Sequence, residues 1–116
     1  MSLESDLQTL VSGVVQSFPD FAPATVTAPY AVWQQVGGAS PAYVERAVFN
    51  KRNARMQITV WAATRSQANA LMAQIEAALV LSTAFQASPY GAMTAVADEE
   101  AQLRGARQDF SIWSER

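Results

Sequence analysis

The sequence predicts an α+β fold: a largely antiparallel sheet of four to five strands packed with two main helices, in the order α-β-β-β-α-β-β. Three observations predict it. Apolar residues recur every three or four positions in two separate stretches, Leu3 to Phe18 and Ala68 to Leu79. Apolar residues alternate with mostly polar ones over Arg55 to Ala63, with Trp61 as the exception. Proline and glycine punctuate the chain between these stretches, at Pro19–Pro23 and Gly37–Pro41. With 116 residues, half of them hydrophobic and 16% charged, the chain fits a single domain, 1–116, with one core.

The first helix is expected from Ser2, a capping residue, with Glu4 and Asp6 near its positive end. Leu3, Leu7, Leu10, Val14 and Phe18 form its apolar stripe, and Pro19 is expected to stop it. Residues 29–36, PYAVWQQV, read as a strand between Pro29 and Gly37, with Ala42 to Asn50 as its hairpin partner. In the strand Arg55 to Ala63, Met56, Ile58, Val60 and Ala62 point one way, and Arg55, Gln57, Thr59 and Trp61 the other. Trp61 on the more polar side predicts that this second face is covered, by a helix or by another subunit.

Thr64-Arg65-Ser66-Gln67 fits a capping box, in which Thr64 takes a backbone amide and Gln67 reaches back. The helix it opens presents Ala68, Leu71, Met72, Ile75, Ala78 and Leu79 on one side. Ser82 to Pro89 gives no periodic signal, Ala92 to Ala97 reads as a strand, and Asp98-Glu99-Glu100 as a solvated turn. The closing strand, Leu103 to Trp113, sets Ala106, Gln108, Phe110 and Ile112 on one face, with Gly105 marking a bulge. The second helix is long enough to serve as a crossover.

Composition removes most catalysis. There is no histidine and no cysteine, which excludes metal sites and nucleophiles built on either, and disulfides. Ten acidic residues offer no pair marked by context, and Lys51, the sole lysine, reads best as a charged strand end beside Arg52. No phosphate-binding loop, dinucleotide fingerprint or serine elbow appears. The expectation is therefore no enzyme, no cofactor and no metal. The N-terminus carries acids where a signal peptide carries basic residues, and no apolar run approaches the roughly 20 residues of a membrane span, so no membrane association is expected.

Two groups of residues suit partner contact. Arg46, Lys51, Arg52 and Arg55 stand against one acid, Glu45, within eleven residues. Such a cluster serves phosphates, an acidic protein surface, or simply a solvated edge. Tyr30, Trp33, Tyr43, Trp61, Tyr90 and Trp113 lie in or beside extended segments, where large rings with a polar handle serve an interface or a core equally well. The candidate interface residues are thus Tyr30, Trp33, Arg46, Lys51, Arg52, Arg55, Trp61 and Trp113.

Three blocks taken together, PYAVWQQVGG at 29–38, QITVWAATRSQANALMAQIEAAL at 57–79 and QDFSIWSE at 108–115, give the chain a family resemblance. Their order and spacing resemble the small tail-completion proteins of tailed phages and prophages, also called tail-to-head joining or tail terminator proteins. Pro29, Tyr30 and Val32 match the first strand of that family, and Gln57, Ile58, Val60 and Trp61 the central one. Ala68, Leu71, Ile75 and Leu79 match the helix that follows, and Arg107, Phe110, Ile112 and Trp113 the closing strand. Ser66 departs from the pattern, which often has an aromatic there. The resemblance implies a non-enzymatic structural protein of the virion tail, assembled in the host cytoplasm. It caps the tail tube and forms part of the head–tail joining interface as a hexameric ring. Its implied partners are its own copies, the tail tube protein and head–tail connector proteins, with DNA passing through without sequence-specific binding. Another phage minor-tail or connector subunit, or a small bacterial dimeric ligand-binding domain, are the alternative readings.

Overall fold

Both helices lie on one side of a six-stranded sheet, and no helix of the described residues lies on the other. The computed structural model describes residues 3–38 and 51–115. Helix α1 spans Leu3–Ser12, followed by strands β1 (Ser17–Pro19), β2 (Tyr30–Gln35) and β3 (Lys51–Ala62). Helix α2 (Arg65–Val80) leads into β4 (Gln86–Pro89), β5 (Thr94–Asp98) and β6 (Leu103–Glu115). The strand order is β1-β2-β3-β6-β4, with β5 also on β6.

The fold is α+β with two helices, as expected, but the sheet is mixed and has six strands rather than four or five. Only β1 runs parallel to its neighbour, β2. The first helix ends at Ser12, not at Pro19, and Phe18 belongs to β1. The freed residues gain a sheet pairing, and Ser17, Gln8 and Ser12 join in a small hydrogen-bonded cluster at the turn. The expected hairpin partner of β2, Ala42 to Asn50, lies outside the described residues, as does the Ser2 cap. Within the described residues β2 pairs with β3 itself, Tyr30 opposite Trp61 through Gln35 opposite Met56.

Strands β3 and β6 form the spine, paired without interruption from Lys51 opposite Glu115 to Ala62 opposite Arg104. That unbroken register overturns the bulge expected at Gly105. A Cβ there would stand 2.7 Å from Val96 Cγ2, 2.9 Å from Trp61 Cε3 and 2.9 Å from the Val60 carbonyl oxygen. Glycine is required by close approach, not by a change of register.

The interruption falls instead on the neighbouring edge. Pro89 opposes Phe110 and Thr94 opposes Arg107, so five steps on the edge match three on β6. Strands β4 and β5 are one edge strand with two extra residues, and Gly91, at φ +99°, lies in the bulge. Strand β4 escapes sequence reading because Gln86-Ala87-Ser88-Pro89 has no strand pattern of its own; β6 supplies its pairing.

The core sits between the sheet and the helices. Met56, Ile58, Val60 and Ala62 of β3 and Ala106, Phe110 and Ile112 of β6 are fully buried, on the face expected for each strand. Leu7 and Val11 of α1 and Ala68, Met72, Ile75 and Leu79 of α2 cover them. Thr64 caps α2 by accepting from the Gln67 amide at 3.2 Å, the first half of the expected capping box. With β6 between β3 and β4, α2 is the expected crossover between two parallel strands.

Candidate interface: the helix-free face of the sheet

Strand alternation decides what the open face displays. Residues flanking the core positions of β2, β3 and β6 point away from the helices, and cross-strand register sets them in rows. Tyr30, Trp61 and Gly105 form one row, Val32, Thr59 and Arg107 the next, then Gln34, Gln57 and Asp109. Nearer the far end Arg55 faces Ser111 and Asn53 faces Trp113. Gly105 leaves room for the Trp61 ring and the Val96 side chain, both of which a Cβ there would meet within 3 Å. No helix of the described residues covers Trp61, which is half-buried on this face.

The loop 20–28 borders this face and turns half of it into a groove of about 870 Å³. Tyr30, Val32, Thr59, Trp61 and Arg107 form its floor, and Phe21 stands at its mouth. Phe21 is 79% exposed, a large apolar ring that nothing among the described residues covers. Among the described residues Arg107 reaches only Thr59 Oγ1, at 3.4 Å, and no acid pairs with it. Burial, with the Asp98 charge adding to it, raises the Tyr30 pKa, so its hydroxyl is a neutral donor on the floor.

A second cleft of about 340 Å³, lined by Asn53, Arg55, Tyr90, Ser111 and Trp113, occupies the far end. Here the charges are satisfied. Arg55 Nη2 lies 2.7 Å from Asp109 Oδ2, Gln57 Nε2 reaches the other carboxylate oxygen at 3.3 Å, and the guanidinium sits 4.1 Å from the centre of the Tyr90 ring.

The structure separates the sequence candidates. Tyr30, Arg55, Trp61 and Trp113 share the open face. Trp33 is buried on the opposite face, donating its indole N–H to Gln8 Oε1 at 2.7 Å, so its place in the chain is the core. Arg52 also belongs to the helix side. Its two terminal nitrogens meet the Glu4 carboxylate, and its hydrogen bond holds the Glu4 pKa below the usual carboxylate value. Arg52 and Arg55 therefore do not form a patch: three residues apart on a strand, they point to opposite faces, each with its own acid. Arg46 and the side chain of Lys51 lie outside the described residues.

Sequence reading missed Phe21 and Arg107 as surface features. Phe21 sits in a loop with no periodicity, although a phenylalanine between Asp20 and Ala22 in a proline-bounded loop is itself a signal of apolar exposure. Arg107 alternates with buried Ala106 and Gln108, which places it on the open face. No group of three acids among the described residues could hold a metal ion. Among the described residues no helix is long and apolar enough to cross a membrane. The open face is thus rich in aromatic and apolar groups, and among the described residues the cation on the groove floor, Arg107, has no acidic partner.

The sequence profile of the family described as tail completion protein gp17 matches residues 3–115. No curated protein matches the chain. Among solved structures, the gp17 protein of bacteriophage SPP1 is similar, with a TM-score of 0.58 at 15% identity over 95% of this chain and 86% of that one. At that identity the likeness is one of fold.

Proposed function

The chain belongs to the tail completion protein gp17 family and is a structural component of a phage tail; from that premise we propose that it completes the tail. In this reading the whole chain, 1–116, acts as one domain that caps the finished tail tube and offers the surface to which the head is joined. Six copies close into a ring, with the tail tube protein on one side and head–tail connector proteins on the other. DNA passes through the opening without sequence-specific contact, and the ring forms in the host cytoplasm before it enters the virion.

The family match, which runs from residue 3 to 115, carries the proposal. The physical features support it. A closed ring needs two different surfaces on each copy, meeting head to tail. The subunit is elongated, with extents of 53 × 25 × 23 Å, and no helix of the described residues covers one face of its sheet. Tyr30, Trp61 and Trp113 on that face are its candidate contact residues. Arg55 acts there through Asp109 and Tyr90 rather than as a free charge.

Native mass spectrometry of the purified chain across concentration and salt tests the ring. A species of six copies is the expected result. A stable dimer, unchanged when tail tubes are added, would turn the reading toward a small dimeric binding domain.

A further inference from the structure

We propose that strand β5 is a self-pairing edge: in the free chain it adds antiparallel to β5 of a second copy, with Val96 opposite Val96 of that copy. The pairing goes beyond the ring, whose contacts run head to tail, and concerns the chain before it meets a tail tube.

Backbone hydrogen bonding is the first argument. The Asp109 carbonyl accepts the Tyr90 N–H at 2.8 Å, so alternation along β6 also turns the main-chain groups of Arg107, Gly105 and Leu103 toward the edge strand. Arg65 agrees, donating to the carbonyls of both Gly105 and Val96. Thr94, Val96 and Asp98, opposite those three, therefore bond inward, and Ala95 and Ala97 send their N–H and C=O groups outward. No strand of the described residues pairs with that side. Residues 39–50 cannot do so either. From Gly38, beside Asn53, to the level of Ala95 and back to Lys51 takes about 53 Å along the sheet, before any sideways travel. The thirteen steps available span at most about 47 Å.

The rest of the sheet margin is guarded. On the opposite edge Gln16 and Asp20 bond β2, which leaves Ser17 and Pro19 facing outward. The Ser17 carbonyl accepts from Gln8 Nε2 at 3.0 Å; Pro19 has no N–H, and its carbonyl accepts the Phe21 amide at 2.7 Å. Beside β5, Pro89 ends β4 and Gly91 lies in the bulge. Strand β5, Thr94-Ala95-Val96-Ala97-Asp98, has none of these devices: no proline, no lysine, and only methyl groups on its outward-bonding residues.

Self-complementarity is the second argument. With Val96 on the two-fold axis, Ala95 faces Ala97 of the second copy and Ala97 faces its Ala95. The two N–H and two C=O groups that each copy offers then all pair, in four hydrogen bonds. Thr94 meets Asp98, hydroxyl beside carboxylate, and Val96 meets Val96 on the open face. A two-residue shift sets Ala97 opposite Met93 or Ala95 opposite Glu99, both outside the strand. The pairing also continues the row Tyr30, Trp61, Gly105, Val96 across the axis and joins two six-stranded sheets into one. Strands of five residues bury far less than the roughly 1,200–2,000 Å² of stable complexes, so the pair is weak and reversible, and it opens for assembly.

The chain has no cysteine, so an engineered thiol reports on a clean background. Opposed residues of a non-hydrogen-bonded antiparallel pair have Cα atoms about 4.5 Å apart, within disulfide reach. Full-length Val96→Cys, mildly oxidised, should give a linked dimer. Thr94→Cys and Asp98→Cys, prepared separately and mixed, should link to each other at least tenfold more than either links to itself. Adding Ala97→Pro to Val96→Cys removes an outward N–H and leaves the β6 ladder intact; the yield should fall at least tenfold with the circular dichroism unchanged. No link at Val96, or equal linking by Thr94→Cys alone, would overturn the proposal and leave the edge to an extended segment of another tail protein. A yield indifferent to Ala97→Pro would overturn it as well. Native mass separates this failure from failure of the ring. Six-copy rings without the Val96 link refute the pairing alone, and the link without six-copy rings refutes the ring alone.

Discussion

Adding a single methyl group at position 105 should measurably destabilise this protein. In Gly105→Ala the new carbon would stand 2.7 Å from Val96 Cγ2, 2.9 Å from Trp61 Cε3 and 2.9 Å from the Val60 carbonyl oxygen. Val96 and Trp61 can shift by small rotations, but the Val60 carbonyl belongs to the unbroken β3–β6 ladder and cannot move without breaking register. Overpacking of this kind costs about 1–3 kcal/mol. Alanine returns about 0.5–1 kcal/mol, because a strand glycine surrenders more backbone freedom on folding. The net expectation is a loss of about 1–2 kcal/mol, which for a chain of this size lowers Tm by roughly 4–8 °C. Thermal melts followed by circular dichroism, with urea midpoints alongside, measure it. Combining the change with Val96→Ala should recover part of the loss, since one of the three contacts is removed, and the coupling should be about 1 kcal/mol. A Gly105→Ala variant as stable as the parent would refute the close-approach account of this glycine.

Four further outcomes follow from the same geometry. Gln8→Ala should cost about 1–3 kcal/mol in urea unfolding, because it strands the buried Trp33 N–H that Gln8 accepts at 2.7 Å; unchanged stability would show another acceptor. Thr64→Ala should cost about 1 kcal/mol by removing the cap of α2, with Thr64→Ser nearly neutral in the same melts. Arg55→Glu should lower Tm, since it sets a carboxylate beside Asp109 and removes the cation stacked on Tyr90; an unchanged melt would mean that the pair is idle. Glu4 has a folded pKa lowered from 4.5 by its Arg52 hydrogen bond, so its ionised form favours the fold. That contribution is fully present above pH 4.5 and is lost as pH falls through the lower folded value. Parent and Glu4→Gln melts should therefore differ above pH 5 and converge towards pH 3; a gap independent of pH would contradict it.

Much of the core was legible in the sequence because burial imposes a period. The alternation of β3 named Met56, Ile58, Val60 and Ala62 correctly, and that of β6 named Ala106, Phe110 and Ile112. The cap and stripe of α2 were equally plain. What escaped was set by partners distant in the chain. Strand β4 exists through its pairing to β6, and β1 through its pairing to β2, and neither carries a pattern of its own. Gly105 looked like a local irregularity, but its reason is Trp61, forty-four residues earlier. On the surface, the four clustered cations suggested a patch because linear proximity ignores strand alternation, which sends Arg52 to Glu4 and Arg55 to Asp109. Phe21 and Arg107 were overlooked because only the folded loop 20–28 brings them to one groove.

The central claim, that this chain completes the tail, is tested most directly by removing it from a producing phage and imaging the lysate by electron microscopy. The account predicts filled heads and separate tails that fail to join, with joined virions restored when the intact chain is supplied in trans. Normally joined, infectious virions in the absence of the chain would contradict it.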